Sequence, residues 1–202
     1  MQGEEKKKLF NRKLIISLLI FIVSFVLFLL LWLNVVDYYG KGILNIASHT
    51  TAWVKNIDFE GINVKKDGQL GAQFFIFRNR KELRININFD FSTFTFNAPL
   101  TFAIMAALFL YIKNRKRAYI EALLILVLIH LIYVFTSEAG RIGYIMARNH
   151  LETASELQLF AWQFTWGLID SMVIRFEPFL IGFYIYLRFS SSPFKAEGKK
   201  KI

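Results

Sequence analysis

The sequence predicts a membrane protein, mainly α, with four transmembrane helices. A small periplasmic α+β insertion, a short helix plus a β-meander, is expected between the first and second. Three observations predict this. Apolar residues make up 55% of the 202 residues and charged residues 20%, against roughly 45–50% and 25% in soluble domains. The apolar residues gather in long runs. The basic residues gather at the ends of those runs.

The chain opens on a basic tail, 1–13. Residues 14–36, LIISLLIFIVSFVLFLLLWLNVV, form the first span. At ~1.5 Å per residue this run crosses a hydrocarbon core of roughly 30 Å with some tilt. It is longer than the apolar core of a signal peptide and lacks a small-residue cleavage site, so it is expected to remain as an anchor.

Residues 37–96 are the expected periplasmic insertion. GILNIASHTTAWVKN (42–56) can be drawn as a short amphipathic helix with Ile43, Ile46, Ala47 and Trp53 near one face. Asp67-Gly68 signals a hairpin between FEGINV and GAQFFIFR. In LRININFDF, Leu83, Ile85, Ile87, Phe89 and Phe91 alternate with Arg84, Asn86, Asn88 and Asp90, the pattern of a strand with one apolar face. At Ser92-Thr93 the phase flips to Phe94 and Phe96, and a bulge or bend is expected there. Three short strands bury little, so their apolar face needs the 42–56 helix, the bilayer surface or a partner protein.

The second span, 97–112, starts with Asn97 as a candidate N-cap and Pro99 in the first turn. It is expected to continue helically into the basic loop 113–117, KNRKR, a tight hairpin to the third span, 118–136. A periplasmic loop, 137–158, leads to the fourth span within 159–189, and a basic tail, 190–202, closes the chain. Phe160, Trp162, Phe164, Trp166, Tyr184 and Tyr186 flank this span as an interfacial aromatic belt does.

The charge distribution orients these elements. Lys6, Lys7, Lys8, Arg12 and Lys13 lie in the first tail; Lys113, Arg115, Lys116 and Arg117 lie in the loop; Arg188, Lys195, Lys199, Lys200 and Lys201 lie at the end. These 14 residues face only Glu4, Glu5 and Glu197, a surplus of 11 against a chain total of +10. Four spans put all three clusters on one side, which the positive-inside rule makes cytoplasmic. The expected location is the bacterial inner membrane, with both termini cytoplasmic. Basic clusters also suit nucleic acid, but each one borders a hydrophobic run, so the expected partners are the lipid bilayer and another integral membrane protein.

Several chemistries are excluded. The chain has no cysteine, hence no disulfide, thiolate nucleophile or Cys-ligated metal. Its histidines, His49, His130 and His150, are far apart, so no metal site or other cofactor is expected. GxxxxGK[ST], GxGxxG, GxSxG and HExxH are absent. Ser137, Glu138, Arg141 and His150 in 137–150 therefore read as a polar loop rather than a hydrolase site.

The polar residues inside the spans are the candidate site. Counted from Arg188 at the inner boundary, Arg175 lies ~20 Å deep and Glu177 ~16 Å deep. Counted from Arg117, His130 also lies ~20 Å deep. A charge at mid-membrane costs at least ~2.5 kcal/mol, so such groups turn inward and find partners. His130, Arg175 and Glu177, with Asp170 nearer the outer interface, form a possible intramembrane polar cluster or partner interface. Three readings compete: a proton-transfer or substrate site, a buried structural pair or partner-facing surface, and a tilted fourth span that leaves Arg175 in the outer interface. Pro178 lacks an N–H and frees the carbonyl of Ile174, for Arg175 or a neighbouring helix to satisfy. Gly182 allows close helix approach.

The order of features, with the segments FTFNAPLTFAIMAALF and LFAWQFTWGLIDSMVIRFEPFLIGFYIYLR, resembles the small membrane proteins associated with exosortases, most like the exosortase H-associated type. The resemblance covers nearly the whole chain by pattern. It implies a companion subunit of protein-sorting machinery, partnered by an exosortase whose own chemistry uses Cys, Arg and His. Without cysteine this chain is not expected to be that enzyme, and no catalytic residue carries over. Thus the expected function is a non-catalytic accessory or scaffold subunit of an inner-membrane assembly. The alternatives are a small transporter or channel subunit using His130, Arg175 and Glu177, and an intramembrane enzyme.

Overall fold

The computed structural model describes the backbone at 2–65, 68–78, 80–151 and 155–190, with side chains from 12 onward. Asp67 of the expected hairpin turn, the side chains of Lys6 to Lys8 and the basic residues from Lys195 onward lie outside the described residues.

Among the described residues, three helical stretches are long and apolar enough to cross a membrane: Arg12–Lys55, Phe91–Leu108 and Arg115–Arg148. The first belongs to α1 (Gln2–Lys55), which runs unbroken through the DYYGKG segment where the sequence suggested a break. Its 54 residues extend roughly 80 Å. Each helical glycine costs about 1 kcal/mol relative to alanine, yet Gly40 is used here. A Cβ on it would sit 2.7 Å from Phe91 Cγ, so the missing side chain makes room for that ring.

The C-terminal half of α1 is the platform for a three-stranded antiparallel meander. It comprises β1 (Asp58–Val64), β2 (Leu70–Arg78) and β3 (Lys81–Phe89), in the order β1-β2-β3. Alternation puts Leu70, Ala72, Phe74 and Ile76 of β2 and Ile85, Ile87 and Phe89 of β3 on the buried face. They pack with Ile43, Leu44, Ala47 and Ala52 of α1 and with Ile142 and Met146 further along the chain. Of the three covers the meander could have had, α1 supplies one. The helix face differs from the expected one: Ile43 and Ala47 are buried, but Ile46 and Trp53 are 54% and 83% exposed. The buried stripe is Ile43, Leu44, Ala47, Ser48, Thr51 and Ala52, the i, i+4 spacing of a helix face.

The β2–β3 hairpin is tight, since Arg78 pairs with Lys81. After Phe89 the chain forms a helical turn, α2 (Phe91–Phe94), rather than a bent strand. Asp90 caps it, and Phe91 and Phe94 are buried at i, i+3 while Phe96 is 47% exposed. A phase flip in a strand and the start of a 3.6-residue period look alike over so few residues.

Helix α3 (Asn97–Leu108) ends before KNRKR instead of running into it. Lys113 N–H donates to Phe189 O at 2.8 Å, and Asn114 takes a left-handed conformation that reverses the chain. Helix α4 (Arg115–Arg148) then continues through SEAGRIGYIMAR, where the sequence predicts a polar loop. The last stretch is helical from Glu156 to Phe189: α5 (Glu156–Leu168), a π-helical segment (Ile169–Val173) and α6 (Ile174–Phe189). A second core joins α3, α4 and α6 through Met105, Ala122, Leu126, Ile181 and Ile185. Gly182 lets α3 and α6 touch, because a Cβ there would lie 2.6 Å from Ile104 Cγ2.

Candidate functional site

Helix α4 carries a line of polar residues on its buried side: His130, Tyr133, Ser137 and Glu138. Steps of three and four residues keep them on one face. That face looks toward α1 and the last helical stretch, which supply the partners.

His130 is fully buried between two of them. Its Nδ1 lies 2.7 Å from Tyr39 Oη on α1. Its Nε2 lies 3.3 Å from Glu177 Oε2 on α6, and both side chains are wholly inaccessible. Phe94 meets the imidazole edge-on at 5.8 Å, and Tyr39 at 5.6 Å. The simplest proton arrangement has the Tyr39 hydroxyl donating to Nδ1, which leaves the ring proton on Nε2. The Nε2 contact is within ion-pair range but is not aligned as a hydrogen bond, and neither Glu177 oxygen has a hydrogen-bond partner among the described residues. The two groups are therefore adjacent without a directed bond between them.

One turn further along α4, Tyr133 Oη donates to Asp170 Oδ1 at 3.2 Å. Asp170 sits in the π-helical segment, which widens the helix just before the proline turn. Beyond it, buried Glu138 accepts from Ser48 Oγ at 2.7 Å and from Thr51 Oγ1 at 2.8 Å, both on α1. With both oxygens held by hydroxyl donors, Glu138 pins α4 to the platform helix.

Of the four candidate residues, the structure brings His130 and Glu177 together and gives Asp170 to Tyr133. Arg175 is left out: it is exposed and forms no hydrogen bond or ion pair among the described residues. The reason is angular. Residues 175 and 177 are about 200° apart around a helix, so only one can face α4. Glu177 shares its side with buried Ile174, Pro178, Ile181 and Ile185. Arg175 points the other way, among Met172, Phe176 and Phe179, each more than half exposed.

The depth counts rested on Arg117 and Arg188 marking one boundary, and a polar cluster joins them. Glu121 lies 3.0 Å from Arg117 Nε and 3.3 Å from Arg188 Nε. Tyr39 and Glu138 were missed as site residues. Tyr39 stood in an expected break of α1 and Glu138 in an expected loop. Extending both helical periods would have placed them on the facing stripes.

No family model, curated protein or solved structure matches the chain.

Proposed function

We propose that this chain is a non-catalytic accessory or scaffold subunit of an inner-membrane protein assembly, of the exosortase-type sorting kind that the sequence pattern resembles. Four helices cross the membrane in this reading, the fourth being α5 to α6, with the basic ends cytoplasmic and the sheet periplasmic. Arg175 carries the reading. It is exposed on an apolar helix face without a counter-charge among the described residues, and with Arg188 at the boundary it lies ~20 Å deep. A guanidinium there is costly unless an acceptor on another membrane protein meets it.

Gentle solubilisation with a C-terminal tag, followed by identification of co-purifying proteins, tests this. The native chain should retain a membrane partner, and Arg175→Leu should lose most of it. A native chain that purifies as a stable monomer without partners sinks the proposal.

A second reading makes His130, Glu177 and Tyr39 a proton-holding site of a small transporter or channel subunit. The unpartnered second oxygen of Glu177 favours it. Transport that is unchanged after replacing His130, Arg175 and Glu177 with apolar residues would exclude this reading.

A further inference from the structure

A cavity of about 550 Å³ opens between the edge of β3, the outer part of α4 and α5. Its walls are mostly apolar, including Ile87, Ile145, Leu159 and Trp162. Consecutive strand residues point to opposite faces. Because both Asn86 and Ile87 border the cavity, it reaches the open edge of β3.

The polar groups in this wall are unusual in kind. Ser137 is 3% exposed and its Oγ has no partner among the described residues. Trp166 Nε1 is also buried and unpartnered. Arg141 lies on the rim, its guanidinium 5.8 Å from the Phe89 ring, with no carboxylate in ion-pair range among the described residues. Indole and guanidinium can only donate hydrogen bonds, and a serine hydroxyl can donate as well. By contrast, the Thr136 hydroxyl already donates to the carbonyls of Ile132 and Tyr133. Among the described residues no Asp or Glu lines the cavity, and Asn86, Tyr144 and Gln163 add groups that both donate and accept. The wall thus offers an excess of donors, one positive charge and apolar surface, and no negative charge among the described residues. An occupant that satisfies it brings acceptor oxygens, preferably anionic, attached to an apolar body.

The surroundings point to where that body goes. Leu157, Phe160 and Phe164 on α5 are 76%, 63% and 60% exposed. They lie around α5 from the cavity-lining Leu159, Trp162 and Trp166 and give that helix an apolar surface suited to acyl chains rather than to water.

We propose that the cavity binds the anionic headgroup of an acyl-chain amphiphile. Arg141, Ser137 and Trp166 donate to its phosphate or carboxylate oxygens, and the tail lies along the apolar wall formed by Ile145, Leu159 and Trp162. The oxygens come either from a membrane phospholipid or from a free fatty acid, and the two sources separate experimentally.

The test uses the full chain in nanodiscs, with Trp32→Phe and Trp53→Phe so that fluorescence reports Trp162 and Trp166. Brominated phosphatidylglycerol, brominated phosphatidylcholine and brominated palmitate are titrated in turn. Quenching by phosphatidylglycerol, or by palmitate if the source is a free acid, should half-saturate at a level on the order of tenfold below phosphatidylcholine. That is a ratio one charge-assisted hydrogen bond supports. Arg141→Gln should abolish the preference, and so should Ser137→Val, which removes a donor and fills the headgroup space. Lys116→Gln, a basic residue at the far end of α4, should leave it intact. Equal quenching by all three probes overturns the proposal. A preference that survives both Arg141→Gln and Ser137→Val, or that Lys116→Gln also abolishes, overturns it too.

Discussion

The side-chain amide of Asn97 donates to the carbonyl of Ile174, the group that Pro178 leaves without its helical donor. The proline needs a partner from outside its own helix, and α3 supplies one from its first residue. This is why Asn97 does not cap α3: its side chain is committed to α6. Asn97→Ala should therefore destabilise the protein by about 1–3 kcal/mol, the cost of an unsatisfied buried carbonyl. In a Pro178→Ala background, where a backbone N–H is restored, the same change should cost markedly less. Thermal unfolding of the four variants in one detergent checks this, and strict additivity would refute the coupling.

His130 and Glu177 form a buried pair at 3.3 Å, so breaking one side should be worse than removing both. His130→Ala leaves a buried carboxylate alone and should cost about 3–5 kcal/mol. The double change His130→Leu with Glu177→Leu should recover much of that loss, because apolar groups of similar volume need no counter-charge. If the double variant also keeps the membrane partner, the pair is structural. If it folds but loses transport, the second functional reading gains.

Asp90 lies outside the membrane-spanning segments and accepts from Ser92 Oγ at 2.6 Å and Thr93 Oγ1 at 2.8 Å. The Ser92 hydrogen bond, then that of Thr93, holds its carboxyl below the usual carboxylate range. A group depressed in the folded state contributes stability above its unfolded pKa of about 3.9 and loses it as pH falls through the folded value. Amide exchange at Phe91–Phe94 should accelerate, relative to its intrinsic rate, as pH drops below about 4. Asp90→Ala should remove that pH dependence and cost about 1 kcal/mol at neutral pH, as a lost N-cap does.

Gly182 is the contact point of α6 with α3, and a methyl there would lie 2.6 Å from Ile104 Cγ2. The obstructing atom sits on a β-branched carbon with little freedom to move. Gly182→Ala should cost about 1–3 kcal/mol through overpacking. Combined with Ile104→Ala it should be better tolerated than the sum of the single changes. Melting temperatures that add without coupling would count against this contact.

Much of the architecture is written in periodicity. The long apolar runs at the start of α1 and in α4 announce helices able to span a membrane, because a bilayer core admits few other backbone arrangements. Strict alternation in LRININ announces β3, because side chains of a strand alternate by geometry alone. Proline chemistry announces an orphan carbonyl at Ile174. Helix ends were less legible. The first span and the 42–56 helix read as separate elements, but the Phe91 ring packs on Gly40 and α1 continues between them. Likewise SEAGRIGYIMAR reads as a polar loop, until Ser48 and Thr51 are found donating to Glu138.

By itself, then, the sequence determined which segments are helical and apolar, where the strands lie and which polar residues sit deep in the apolar stretches. Those properties depend on neighbours a few positions away. Only the tertiary structure decided which of those polar residues meet. Arg175 and Glu177 are two positions apart, yet one faces His130 and the other faces outward. The rotation of α6 about its axis selects between them, and packing of Ile174, Pro178 and Ile181 sets that rotation. Contacts between residues far apart in the chain depend on such rotations, which no local pattern specifies.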